Sequence, residues 1–149
     1  MKKVVRIEDI TYVAGFFDGE GSIYITNQKR KNINQYCLGI SFTNTNLRLL
    51  QVIKDMFGGN LSKSVDRRIG ISRRQVFHLR FSSNQARNLL QTILPHLRIK
   101  KEQALLAIDF QSKMRIGIPI SKVDRNNQLN YKNKMSKLNC PLISTIKNE

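Results

Sequence analysis

The apolar residues change their period at Gly21, so a helix must run almost directly into a strand. Before that point, Ile7 to Phe17 reads as a helix: Glu8 and Asp9 sit where negative charge favours a helix N-terminus, an apolar stretch follows, and the glycines at 19 and 21 mark its end. After it, Ile23 and Ile25 alternate with Ser22, Tyr24, Thr26, Gln28 and Arg30, the period of two that belongs to a strand with one polar face. The KRKN segment supplies a basic turn. Tyr36, Leu38, Ile40 and Phe42 then alternate with Cys37, Gly39, Ser41 and Thr43, which predicts a second strand of the same kind and hence a hairpin.

The pattern then repeats. Leu49, Leu50, Val52, Ile53 and Met56 give a helical period over Leu47 to Phe57, stopped by Gly58-Gly59. Leu61 and Val65 suggest a third strand, DRRIGISRR a basic loop, and Phe77, Leu79 and Phe81 a fourth strand; a helix over about Asn84 to Leu94 ends before Pro95. The order αββαββα predicts an α+β fold: one four-stranded antiparallel sheet with helices on a single face and a polar, wet face opposite. Lys100 to Arg115 adds an amphipathic helix, Ile116 to Pro119 breaks it, and Asp124 to Asn139 is expected to form a last short helix. The core domain is thus expected over residues 1–115, with 116–149 an extension packed on it or trailing from it. A chain of 149 residues, 40% apolar, supports one ordinary domain but hardly two.

A formal charge of +16, from 26 Lys and Arg against 10 Asp and Glu, calls for a polyanion. Nucleic acid is the first candidate partner; a ribosomal protein, an anionic membrane surface or heparin binding would fit the charge equally. The sheet region is the basic part, because residues 22–82 hold eleven Lys or Arg against two Asp. A solvated face explains many charge runs, but less well a polar outward face on all four strands with Arg and Lys gathered at the turns. No apolar run approaches the ~20 residues needed to span a bilayer, so no membrane partner is expected. The start MKKVVRIED lacks an apolar core and a small-residue cleavage site. Cys37 and Cys140 lie far apart without metal-ligand spacing and are expected to be reduced thiols in an intracellular compartment. An intein origin is not expected, since the sequence begins with Met1 and ends with Glu149.

The nine residues Val13-Ala14-Gly15-Phe16-Phe17-Asp18-Gly19-Glu20-Gly21, continued by Ser22-Ile23, resemble the LAGLIDADG signature of homing endonucleases. The departures at Val13, Gly19 and Glu20 are of a kind that motif tolerates, and the family's core order αββαββα is the one read above from periodicity. The motif also makes physical sense. Gly15 and Gly19 share one helix face and, with Ala14 nearby, let a second helix approach closely. An ordinary core helix would leave Gly15 as an unforced cost of roughly 1 kcal/mol. A homodimer interface is therefore expected from Val13, Ala14, Gly15, Phe16 and Gly19.

Glu20 is expected just past the helix end, where its carboxylate and the Gly19 carbonyl face solvent. On its own, a Glu in a glycine-rich turn reads as a surface loop residue. The resemblance implies instead that Glu20 and Gly19 hold Mg²⁺ or another divalent cation such as Mn²⁺, with Ca²⁺ binding but not supporting cleavage. It implies a structural role for Asp18 at the helix ends. It also implies catalytic roles for Asn44, at the position where the family carries a polar residue that orders water, and for Lys100, in the segment LRIKKEQA. Taken alone, Asn44 and Lys100 read as a strand-end cap and a surface charge.

The resemblance implies a saddle whose outward side chains lie in a DNA major groove. By alternation these are Tyr24, Thr26, Gln28 and Arg30, then Gln35, Cys37, Ser41 and Thr43, then Ser62 and Ser64, then Val76, His78 and Arg80. Arg67, Arg68, Arg73 and Arg74 flank a loop that contacts base edges or phosphates. A single motif implies a homodimer and a long pseudo-palindromic target on double-stranded DNA, and an intron-encoded protein of a bacterial or archaeal cytoplasm, a chloroplast or a mitochondrion. Two rivals stand beside this reading. One is an RNA-splicing maturase of the same fold, binding intron RNA. The other is a non-catalytic basic protein, whose affinity would fall with salt alike for every duplex.

Overall fold

The computed structural model describes residues 5–30, 33–65, 75–115 and 118–140. Helix α1 (Ile7–Glu20) passes straight into strand β1 (Gly21–Arg30), which pairs with β2 (Ile33–Asn44). Helix α2 (Leu47–Phe57) leads to β3 (Asn60–Val65) and β4 (Gln75–Ser82), and α3 (Ser83–Ile93) runs on into a 3₁₀ turn at Leu94–His96. Helices α4 (Lys101–Ser112) and α5 (Lys122–Asn139) follow. The four strands form one antiparallel sheet in the order β1-β2-β4-β3, so the expected α+β architecture holds. No helix among the described residues is long and apolar enough to cross a membrane.

Alternation decides which face is covered. Ile23, Ile25, Leu38, Ile40, Phe42, Leu79 and Phe81 are buried against helix residues that include Val13, Phe17, Leu50, Ile53, Leu90 and Phe110. Phe42 is the hub: Phe17 meets it edge-on at 5.0 Å, Phe81 edge-on at 6.2 Å, and Phe16 stacks on it at 5.7 Å. Each such aromatic pair adds roughly 0.5–1.5 kcal/mol beyond its area. Gly21 is required by this cluster and not by its backbone angle, since a Cβ there would lie 2.1 Å from the Phe17 ring.

Helix α1 is longer than its glycines suggest. It continues through Gly19 to Glu20, with the Gly21 N–H donating to the Phe17 carbonyl. Glu20 is therefore its last residue, not the first beyond its end. Helix α5 packs on β1, β2 and α4, although its sequence is polar and Asn/Lys-rich. Two amides explain how. The Gln128 side chain, nine-tenths buried, accepts from the Tyr36 N–H at 3.3 Å, and Asn139 donates to the Ile23 carbonyl at 2.7 Å. Both complete backbone groups of β1 and β2, which a buried segment cannot leave unpaired.

Candidate functional site

The C-terminal end of α1 is bound to the segment after the 3₁₀ turn by one side chain. The Asp18 carboxylate accepts the backbone N–H groups of Arg98 at 2.8 Å, Lys100 at 3.0 Å and Ile99 at 3.3 Å, and the Lys100 ammonium donates back to the Asp18 carbonyl. Burial pushes the Asp18 carboxyl up, but the three N–H groups and the Lys100 charge outweigh it and hold the group below its usual value. Lys100 thus takes one of the carbonyls that a helix end leaves without a donor. Sequence reasoning gave Asp18 a structural role at the helix end; the structure adds that it fixes Lys100.

Glu20 is exposed at the same end of α1, where the helix dipole is negative and cations are favoured. The donor set there, one free carboxylate beside an exposed Gly19, suits a hard oxygen-seeking cation. Among the described residues no three His, Cys, Asp or Glu are grouped to hold a metal. Asn44 ends β2, two residues beyond Phe42, the partner of Gly21. By alternation it falls on the helix side of the sheet with Ile40 and Phe42, and its Oδ1 accepts the Asn46 N–H at 2.8 Å, forming the turn into α2. Asn46 in turn caps α2 by accepting from Leu49 N–H.

The outward face is a set of cross-strand rows. Gln28 pairs with Gln35, Thr26 with Cys37 and Tyr24 with Gly39; Ser22, Ser41, Arg80 and Asn60 form one row across all four strands. Thr43, His78 and Ser62 form the next, and Val76 faces Ser64. The register therefore places the expected residues of β3 and β4 on the same face as those of β1 and β2. The side chain of Arg30, and Arg67, Arg68, Arg73 and Arg74 altogether, lie outside the described residues. Within the face, His78 Nδ1 lies 3.0 Å from the Thr43 hydroxyl and Nε2 lies 2.8 Å from that of Ser64. Burial, and after it the Arg80 charge, lower the His78 pKa, which favours the neutral ring.

The face of α1 turned away from the core carries Glu8, Thr11, Tyr12, Gly15 and Gly19, all exposed. A Cβ built at Gly15 or Gly19 would meet no described atom within 4 Å, so no contact among the described residues requires either to be glycine. The expected interface is corrected in two positions. Val13 and Ala14 are 0% exposed in the chain's own core, and Phe16 is half-buried on Phe42. The helical period carries Val13 and Ala14 to the face opposite Tyr12, Gly15 and Gly19, so these two cannot lie on the exposed face with the glycines, whereas Phe16 flanks that face.

The family model for the LAGLIDADG endonuclease matches residues 13–110, more than half of the chain. This chain belongs to the LAGLIDADG endonuclease family. No curated protein sequence matches it significantly. Among solved structures, the homing endonuclease I-CvuI in complex with its target superposes with a TM-score of 0.73 at 19% identity, covering 95% of this chain and 86% of that one. The archaeal intron-encoded homing endonuclease I-Vdi141I, complexed with DNA, gives 0.69 at 17% identity over 95% and 87%. The LAGLIDADG homing endonuclease I-SmaMI bound to cleaved DNA gives 0.73 at 16%, covering 93% of this chain but 47% of that one. At these identities the likeness is one of fold. The match spans α1 through most of α4 and leaves out α5.

Two residues of this LAGLIDADG chain's outward face escape the sequence reading: Asn60 and Ser82 extend the alternation of Ser62 and Arg80 by one step each. Asn60 was hidden by the Gly58-Gly59 stop, though counting back by two from Ser62 would have found it. Gly39 also gains a purpose, since a Cβ there would lie 2.3 Å from the Tyr24 ring that covers it.

Proposed function

We propose that this chain acts as a homodimeric, site-specific DNA endonuclease of the homing type, intron-encoded and working inside the cell. It would make a double-strand break by hydrolysing one phosphodiester of each strand within a long pseudo-palindromic target. The observation that carries this reading is the juxtaposition at the end of α1. An exposed carboxylate, Glu20, closes the helix two residues after Asp18, whose carbonyl holds the Lys100 ammonium.

Glu20 and the Gly19 carbonyl would hold Mg²⁺, or Mn²⁺ in its place, while Ca²⁺ would bind without supporting cleavage. I-SmaMI was likewise crystallised on an uncleaved target with calcium ions. A bound divalent ion supplies a water activated for attack and charge stabilisation for the leaving oxygen. Lys100, held by Asp18, would stabilise charge on the phosphate without reorganising. Asn44, its oxygen engaged by Asn46, would order water through its amide N–H₂. Gly15 and Gly19 would bring a second α1 close enough to set two Glu20 carboxylates side by side. The outward side chains of the sheet would then read base edges, and the Arg residues of the β3–β4 segment would contact phosphates or guanines.

A plasmid library of random inserts incubated with the protein and Mg²⁺ tests this. Double-strand breaks should collect at one pseudo-palindromic sequence, and none should form with Ca²⁺. If every insert stays intact while the protein binds RNA, the chain is a splicing cofactor. Equal retention of all duplexes that falls steeply with salt would make it a non-specific basic binder.

A further inference from the structure

His78 is the one imidazole on the outward face, and both of its nitrogens are engaged by hydroxyls on two different strands. Thr43 is its direct partner across β2 and lies 3.0 Å from Nδ1. Ser64 reaches Nε2 at 2.8 Å from a diagonal position on β3, since its direct partner is Val76, which offers no polar group. The ring is half-buried, the Thr43 hydroxyl is half-buried and Ser64 is exposed, so a side chain of each strand stands next to whatever lies on the face.

A neutral imidazole carries one N–H donor and one lone pair, never two of either. When Nδ1 holds the proton, Thr43 accepts it and keeps its own hydroxyl proton for an outside acceptor. Ser64 must then donate to Nε2, so it shows the outside only lone pairs. When Nε2 holds the proton the two roles exchange. From this geometry we propose that His78 is a positioning residue that couples the Thr43 and Ser64 hydroxyls, so that only one of the two can donate to the face at a time, and the donor changes when the tautomer does. The ligand class is a duplex major groove, where purine N7 and O6 or thymine O4 accept and the amino groups of adenine and cytosine donate. The inference rests on the base-reading role proposed above for the sheet face.

The consequence is that two base pairs are not read independently. A target with an acceptor at either one of the two pairs should be tolerated, and a target with acceptors at both, which needs two protein donors, should be disfavoured by about three- to tenfold, within the reach of one hydrogen bond of ~0.5–1.5 kcal/mol. A merely structural histidine would shift affinity for all sequences alike and create no such correlation.

The test is selection of a randomised duplex library by the full chain in Ca²⁺, followed by sequencing of the bound pool. Ser64→Ala and Thr43→Val identify which base pair each hydroxyl reads, by loss of preference there. Wild type should show covariation between those two pairs. In Thr43→Val, which frees the tautomer, the discrimination against an acceptor at the Ser64 pair should also relax about three- to tenfold, although Ser64 is untouched. His78→Phe, which keeps a flat ring without nitrogens, should abolish the covariation while other positions are still selected. Independent variation of the two pairs in wild type, or an unchanged Ser64 preference in Thr43→Val, overturns the coupling while leaving base reading standing. A wild-type pool with no enriched sequence at all overturns base reading itself, and the coupling with it.

Discussion

Replacing Gly15 with alanine separates the two demands placed on α1. Within one chain the change should be favourable, because a Cβ at position 15 meets no described atom within 4 Å. Glycine in a helix interior costs ~0.8–1.0 kcal/mol relative to alanine. The isolated chain should therefore gain about 1 kcal/mol, a rise of roughly 3 °C in Tm for a domain of this size. In a dimer whose helices meet at Gly15, two added methyls enter one contact, and overpacking of this kind costs about 1–3 kcal/mol. A net loss of ~2 kcal/mol weakens dimerisation roughly thirtyfold. Sedimentation equilibrium measures the dimer constant, and thermal melts at concentrations below it measure the monomer. The two effects should have opposite signs. A dimer constant unchanged by Gly15→Ala, or a monomer made less stable, would refute the assignment of this face.

Three further perturbations probe the scaffold around the site. Asp18→Asn removes a charged acceptor from the N–H groups of residues 98–100 and should cost about 1 kcal/mol in urea melts. Because the folded state holds this carboxyl below its usual 3.8, its stabilisation is complete above that pH and is lost as pH falls through the lowered value. The gap between wild type and Asp18→Asn should accordingly close in acid, and a gap independent of pH would contradict the pairing. Gly39→Ala should destabilise by about 1–3 kcal/mol through collision with Tyr24, and by much less in a Tyr24→Ala background; an equal cost in both would remove Tyr24 as the cause. Gln128→Leu leaves the Tyr36 N–H without its acceptor and should cost about 1–3 kcal/mol, whereas a neutral change would mean that α5 packs by its apolar residues alone.

Periodicity carried the fold because the sheet has one buried face, so a period of two at Ile23–Ile25, Leu38–Phe42 and Phe77–Phe81 could mean only one register of inside and outside. The same alternation put Ser62, Ser64, Val76, His78 and Arg80 on the correct face before the pairing was known. What escaped was decided by neighbours distant in sequence. Glycines 19 and 21 read as stops, yet α1 continues to Glu20 because Phe17 packs over Gly21 and Asp18 is held from residues 98–100. Ala14 is as small as an interface residue beside Gly15 would need to be, but one step along a helix turns a side chain by about 100° and carries it into the core. The turn that Asn44 makes with Asn46 is likewise invisible to periodicity. The seat of α5 was invisible to hydrophobic patterning, because two amides, Gln128 and Asn139, anchor it to open backbone groups.

The role of Glu20 is the centre of this functional reading, and a paired measurement on Glu20→Gln tests it most directly. Binding to the selected duplex is measured in Ca²⁺ and strand cleavage of the same duplex in Mg²⁺, for wild type and variant together. Glu20 is exposed and makes no described core contact, so the variant should fold and keep its sequence-specific binding while cutting neither strand. Cleavage at the wild-type rate by Glu20→Gln would place the metal ligand elsewhere and contradict the site described at the end of α1.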